Sequence, residues 1–124
     1  EVSNNFNKFK FKNLYKWDGE FILTSSSEYV RSIYSGEVVF SNWIKGYGLL
    51  IIIDHGENLM SLYAHNKVLL KKTGDKVIAG DIISKSGVSG GNDKNSIYFE
   101  IRKNGIPQNP HKWCNISNKF SLAE

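Results

Sequence analysis

The three histidines of the chain are the first residues to consider for chemistry, because histidine is the commonest metal ligand in proteins. They are His55, His65 and His111. A hydrolytic zinc site needs three protein ligands and an open position, usually supplied by closely spaced His, Asp or Glu. The sequence has no H-x-H pair, no H-E-x-x-H motif and no carboxylate at a recognisable ligand spacing from a histidine. This spacing alone favours a structural or surface role for each histidine.

Nucleophilic catalysis finds equally little support in the sequence. The G-x-S-x-G motif that presents a nucleophilic serine is absent, and Cys114 lies near the end of the chain. Because Cys114 is the single cysteine, it also excludes an intrachain disulfide. The glycine-rich segment 87–91 lacks the lysine and the following helix of a phosphate-binding loop, so we interpret it as a hairpin tip.

A set of aromatic and basic residues remains, and these types dominate binding hot spots because they combine apolar area with a polar end. The set is Trp17, Phe21, Trp43, Tyr47, Tyr63, Tyr98 and Arg102. Strand alternation predicts Tyr98, Glu100 and Arg102 on one face, and Ile97, Phe99 and Ile101 on the other. If the aliphatic face enters the core, Tyr98 and Arg102 are left for a groove or a surface.

Short strands separated by turns must position these residues. The patterns predict strands at Phe9–Lys12, Glu37–Phe40, Leu49–Asp54, Leu59–Ala64, Lys76–Ile78 and Ser96–Arg102. Leu59–Ala64 is expected to return antiparallel to the strand before it, and Asn104-Gly105 to close a hairpin. This spacing predicts an all-β fold, either a sandwich or a partly open antiparallel barrel with long loops around a groove.

Length and composition limit the organisation and the partners of the chain. With 124 residues, 40% of them hydrophobic and 13% aromatic, it is a single folded domain. We expect a domain at 16–115, an arm at 1–15 and a tail at 116–124. The longest apolar run, Leu49–Ile53, has five residues and is too short to cross a membrane. The net charge is +4, but the sequence contains no recognisable nucleic-acid-binding motif, so no nucleic-acid partner is predicted.

At this point a set of motifs, in order over residues 17–113, resembles the lysostaphin-type (LytM) zinc endopeptidases of the bacterial cell wall. The motifs are Gly46-Tyr47-Gly48, Ile53-Asp54-His55-Gly56, Leu62-Tyr63-Ala64-His65, Gly74-Asp75-Lys76-Val77, Gly80-Asp81, Ser86-Gly87, Phe99-Glu100-Ile101-Arg102, Asn104-Gly105 and Asn109-Pro110. Each motif alone is weak, whereas the ordered combination is specific. The resemblance implies the antiparallel LytM fold, with a groove where the peptidase active site lies.

The metal-binding motifs of that family are altered in this chain. Active members bind zinc through H-x-x-x-D and H-x-H-F-E segments, and here Trp17 and Phe21 match the first segment. Ser96 and Tyr98 stand where the second segment has its histidines, so of the catalytic histidines His65 alone remains. Because Trp, Phe and Tyr cannot replace two imidazoles and a carboxylate, we expect no metal, no cofactor and no peptidase activity.

These departures resemble the degenerate LytM domains of division proteins that activate N-acetylmuramoyl-L-alanine amidases. The resemblance implies a periplasmic or cell-envelope protein that binds the amidase, and we expect the amidase's regulatory helix to occupy the groove. The implied contact residues are Phe21, Tyr47, Leu50, Tyr63, Tyr98 and Arg102. Such proteins carry a coiled coil before this domain, so we expect the C-terminal part of a longer chain.

Two other functions remain open on the sequence. The first is a degenerate domain that binds peptidoglycan itself or another envelope protein, as in sporulation channels. The second is residual zinc hydrolysis with an unusual ligand set that uses His65. Metal analysis and mixing with an amidase separate these possibilities.

Overall fold

The structure is a computed structural model that describes residues 20–23, 28–91 and 96–109; at 20–23, 91 and 96 the description is limited to the backbone. The predicted strand at Phe9–Lys12 lies outside the described residues. Trp17, His111, Cys114, the predicted arm at 1–15 and the predicted tail at 116–124 also lie outside them.

Nine strands of the described segments form one sheet, and all their pairings are antiparallel. They are β1 (Glu20–Leu23), β2 (Tyr29–Arg31), β3 (Gly36–Ile44), β4 (Gly48–Gly56), β5 (Leu59–Leu69), β6 (Lys76–Val77), β7 (Ile82–Ser86), β8 (Ser96–Lys103) and β9 (Ile106–Gln108). The order is β1-β8-β5-β4-β3-β6, with β9 beside β8 and the β2–β7 pair beside β5. The all-β prediction is confirmed, and the sheet is a curled half-barrel.

Strands β4, β5 and β8 bury side chains on both of their faces, which explains their sequence patterns. One core cluster contains Ile51 and Ile53 of β4 with Ile97, Phe99 and Ile101 of β8. The other contains Tyr47, Leu50, Ile52, Leu62 and Ala64, with Phe40, Ile44, Met60 and Tyr98 packed against it. A strand covered on both faces has a continuous apolar run, and Leu49–Ile53 is such a run.

The sequence pattern did not predict β7, because two of its three buried residues are serines. Ser84 and Ser86 are buried, and each serine hydroxyl has a hydrogen-bond partner from a distant part of the chain. Ser84 Oγ donates to Asn66 Oδ1 over 2.7 Å, and Glu28 N–H donates to Ser86 Oγ over 2.9 Å. Buried hydroxyl groups are tolerated when they are hydrogen-bonded, but the local sequence does not indicate which distant residues will be their partners.

Strand β5 changes its neighbour at His65. Residues Leu59–Ala64 pair with β8, whereas Asn66–Leu69 pair with β7 along the same edge. His65 lies between these two segments with φ of 65°, a left-handed conformation that is uncommon for a residue other than glycine. The backbone therefore turns at His65, and it carries this side chain to the junction of three strands.

A close backbone approach holds the segment after β7 against the start of β4. Gly48 and Gly90 have φ of 69° and 76°, and a Cβ atom at either glycine would collide with the backbone of the other segment. Ser89, in the 3-10 turn Ser89–Gly91, accepts a hydrogen bond at Oγ from Leu49 N–H over 3.0 Å. This contact brings the Ser89 carbonyl to the side chain of His65.

Candidate functional site

Strand β8 places Tyr98, Glu100 and Arg102 on one face, as alternation predicts, because Ile97, Phe99 and Ile101 enter the core on the other. The Glu100 side chain is 0% exposed, and both of its oxygens accept hydrogen bonds from its neighbours on the strand. Tyr98 Oη donates to Oε2 over 2.7 Å, and Arg102 Nε donates to Oε1 over 2.9 Å. A buried carboxylate is therefore matched by a cation on one side and by a phenol on the other.

The Tyr98 ring forms an aromatic cluster with Tyr47 and His65. Its centroid lies 6.2 Å from that of Tyr47, with the planes tilted by 42°. It lies 6.4 Å from the His65 ring in an edge-to-face arrangement. Such distances are typical of favourable aromatic pairs. We call Tyr47, His65, Tyr98, Glu100 and Arg102 the aromatic site.

Hydrogen bonds hold His65 from two directions. Its backbone N–H donates to Tyr47 O over 2.8 Å, and its Nδ1 lies 2.7 Å from Ser89 O. Because a carbonyl oxygen can only accept, Nδ1 carries the proton and the neutral imidazole is unprotonated at Nε2. Burial lowers the pKa of His65 below its usual range, and the hydrogen bond to Ser89 partly opposes this shift. The site therefore favours a neutral imidazole.

The register of the sheet brings together several residues that the sequence analysis predicts at altered zinc-ligand and catalytic positions. Phe21 of β1 is paired with Tyr98 of β8, and Tyr98 is paired with Ala64, the residue before His65. Three of the predicted degenerate positions, Phe21, His65 and Tyr98, therefore meet at one place on the sheet. Ser96 pairs with Leu23 two residues along β8, while Trp17 lies outside the described residues.

The predicted contact residues differ in how accessible they are. Leu50 and Tyr63 are fully buried in the two core clusters, and Tyr47 is nearly so. The Tyr63 ring packs 5.4 Å from Phe99, and its hydroxyl accepts a hydrogen bond from Ile33 N–H and is hydrogen-bonded to Ser61 Oγ over 2.8 Å. Leu50 and Tyr63 thus act in this structure as core residues beneath the site, and direct partner contact at either position stays a prediction. Tyr98 and Arg102 are part-buried and reach the surface.

Two residues that the sequence analysis did not assign to the site organise it. Glu100 joins Tyr98 to Arg102, and Ser89 joins His65 to β4. The signal for Glu100 was present, because it lies between two selected residues on the same strand face. Ser89 offered no such signal, since its position depends on the contact between Gly48 and Gly90.

His55 has a structural role, as its spacing favoured. Its Nδ1 lies 2.8 Å from Ser35 O, and its Nε2 lies 2.7 Å from Ser61 Oγ. Ser61 Oγ in turn is hydrogen-bonded to the Tyr63 hydroxyl. Burial lowers the pKa of His55, while the Ser35 hydrogen bond and the charge of Asp54 act in the opposite direction. The two histidines His55 and His65 therefore belong to separate hydrogen-bond networks.

The residues at the described positions do not fit a zinc ion. A zinc site needs nitrogen, sulfur or carboxylate oxygen ligands, whereas Phe21 is a hydrocarbon and the Tyr98 hydroxyl is bound to Glu100. No group of three or more His, Cys, Asp or Glu suited to a metal ion occurs in the part of the chain that the structure describes. Over the same residues, no helix has the length and apolar character that crossing a membrane requires.

Comparison with known proteins identifies the family to which this fold and site belong. The model of peptidase family M23 matches residues 15–110, so the chain belongs to family M23. The catalytic domain of the peptidase lysostaphin from Staphylococcus simulans has the same fold, with a TM-score of 0.71 and 26% identity over 77% of each chain. The resemblance to LytM-type domains is thereby confirmed.

Two similar relatives carry names that state a role. The chain is 41% identical over 98 residues to the murein hydrolase activator EnvC of Escherichia coli, covering 79% of this chain and 23% of EnvC. It is 37% identical over 93 residues to the murein hydrolase activator NlpD of Salmonella typhimurium, covering 74% of this chain and 24% of NlpD. The chain thus spans about a quarter of the length of these relatives.

Proposed function

We propose that this chain is a non-catalytic activator of murein hydrolases that acts in the cell envelope. Its partner in this proposal is an N-acetylmuramoyl-L-alanine amidase, whose regulatory helix binds at the aromatic site. The sequence similarity to EnvC and NlpD, both named murein hydrolase activators, supports the role. A fold can carry many activities, so the argument rests on the site.

One observation carries the proposal: the Tyr98 side chain, at a predicted zinc-ligand position, is part of a packed aromatic cluster. Its ring packs against Tyr47 and His65, and its hydroxyl is hydrogen-bonded to Glu100. These contacts turn a metal-binding position into a rigid amphipathic surface. Aromatic residues with a polar end are the usual anchors of protein interfaces.

The Tyr98→Ala variant tests this proposal. The purified chain should raise the release of dye from labelled murein by the amidase and release none alone. Tyr98→Ala should weaken amidase binding by about 2 kcal/mol or more, the range of an aromatic hot spot. Titration calorimetry and dye release measure the two effects.

Tyr29→Ala is the matched control, because Tyr29 is a tyrosine on β2 that is 42% exposed. It should bind and activate as the unmodified chain does. An unmodified chain that binds murein or another envelope protein, but leaves the amidase unchanged, would favour the alternative binding role. Normal activation by Tyr98→Ala would move the binding surface elsewhere.

A further inference from the structure

We propose that Glu100 is a positioning residue that presets Tyr98 and Arg102 for partner binding; this inference rests on the proposed function. The three residues lie on one face of β8, and Glu100 is the middle member. Its carboxylate is 0% exposed, so it acts through its neighbours and makes no partner contact in this arrangement. Each neighbour is held by a separate carboxylate oxygen, Tyr98 by Oε2 and Arg102 by Oε1.

The geometry gives Glu100 control over the tip of each neighbouring side chain. A tyrosine side chain can rotate about two bonds, and a hydrogen bond at its hydroxyl restricts rotation about the first, because the hydroxyl oxygen lies on the axis of the second. The ring of Tyr98 then stays against Tyr47 and His65. Arg102 is restricted at Nε by Glu100 and at Nη1 by the Gly105 carbonyl, 3.3 Å away. Side chains that are ordered before binding lose less entropy when the partner arrives.

The same contacts reduce the exposed positive charge that Arg102 presents to a partner. Only 11% of its side chain is exposed, and its charge is matched within the chain by Glu100. The Glu100–Arg102 pair is therefore neutral as a whole. The partner chemistry that fits it is an apolar helix face with hydrogen-bonding groups, with little dependence of the affinity on salt.

The test combines Glu100→Gln with Tyr98→Phe in a double-mutant cycle of amidase binding. Tyr98→Phe keeps the aromatic ring and removes the hydroxyl that binds Glu100. Glu100→Gln keeps the shape of the side chain, but it leaves one neutral acceptor oxygen for the two donors, the Tyr98 hydroxyl and Arg102 Nε. We expect each single variant to weaken binding about tenfold. Glu100→Gln should have a smaller effect in the Tyr98→Phe background, because the anchor is already lost. Additive effects, or full binding by Glu100→Gln, would overturn the inference.

Fluorine NMR of the chain labelled with 3-fluorotyrosine gives a readout that needs no amidase. The resonance that disappears in Tyr98→Phe belongs to Tyr98, and Glu100→Gln should shift or broaden it while Tyr29 stays unchanged. If Glu100→Gln does not fold, Glu100→Gln with Arg102→Gln removes the uncompensated charge and should still move the resonance. An unmoved Tyr98 resonance overturns the positioning role. Failure of the unmodified chain to bind the amidase, with a moved resonance, would instead overturn the proposed function.

Discussion

Arg102 and Glu100 form an ion pair whose energetics depend on burial. Taking a carboxylate out of water is costly, and here the cost is offset by Arg102 Nε at 2.9 Å and by the Tyr98 hydroxyl. Removing one partner of such a pair leaves the other charge buried without compensation. The sequence predicts Arg102 on a partner-binding face, and in the structure its guanidinium also compensates the buried charge of Glu100.

We expect Arg102→Met to lower the free energy of unfolding by about 3 kcal/mol, because it leaves the Glu100 charge uncompensated. Urea denaturation measures the loss. Lys76→Met is the control: Lys76 is an exposed lysine, 3.8 Å from Glu37, and its loss should cost less than about 0.5 kcal/mol. Equal losses in the two variants would show that the buried pair contributes no more than a surface contact.

Hydrogen bonds from the two described histidines connect strands and loops that are distant in sequence. His55 of β4 joins the Ser35 carbonyl, ahead of β3, to Ser61 of β5. His65 joins the corner of β5 to the turn that contains Ser89. Both networks need a ring nitrogen that donates to a carbonyl, and burial favours the neutral form of both rings.

Stability should therefore fall as the pH is lowered from about 7.5 to about 5. The folded-state pKa values of His55 and His65 lie below the ordinary value of 6.5, so the unfolded chain binds protons first. Their contribution is present above that value and is lost as the pH falls towards the folded pKa. Urea denaturation across this range should show a smaller loss for His55→Gln than for the unmodified chain. An equal loss would mean that His55 contributes nothing to it.

The contact of Gly90 with Gly48 should make Gly90 less tolerant of substitution than Gly74. Both have positive φ, 76° and 99°, but a Cβ atom at Gly74 meets open space while one at Gly90 meets backbone. We expect Gly74→Ala to cost about 1 kcal/mol from strain and Gly90→Ala at least about 2 kcal/mol. Thermal unfolding of both variants measures the difference, and equal costs would contradict the close contact.

The sequence predicted those strands and turns whose burial or geometry is visible in the order of apolar, polar and turn-forming residues. The five-residue apolar run of β4, the alternation of β8 and the Asn104-Gly105 turn led to correct strands and to a correct hairpin with β9. It did not predict β7, whose buried serines depend on partners far along the chain. It selected Tyr63 as a contact residue, which stays a prediction, but the burial of its hydroxyl against Ser61 could not be read from the residue type.

For the whole molecule, the fold and the site point to different chemistry. The sheet belongs to family M23 and matches the catalytic domain of lysostaphin. In this chain the register brings together Phe21, Tyr98 and the strand end at His65, which the sequence predicts to be altered metal and catalytic positions. An unchanged scaffold with changed side chains is a common route to a new role, since function depends on the site.

Restoring the histidines tests this at the level of the whole chain. Ser96→His with Tyr98→His rebuilds the H-x-H pair, but Trp17 and Phe21 remain, and one of the three zinc-ligand positions regains a ligand. We expect the double variant to show no murein cleavage and a lower activation of the amidase, because Tyr98 no longer packs on Tyr47. Metal analysis and dye release with and without chelator measure both.

About one zinc per chain with chelator-sensitive cleavage would show that the scaffold is still a peptidase. Normal activation by the double variant would show that the aromatic site is not the functional surface.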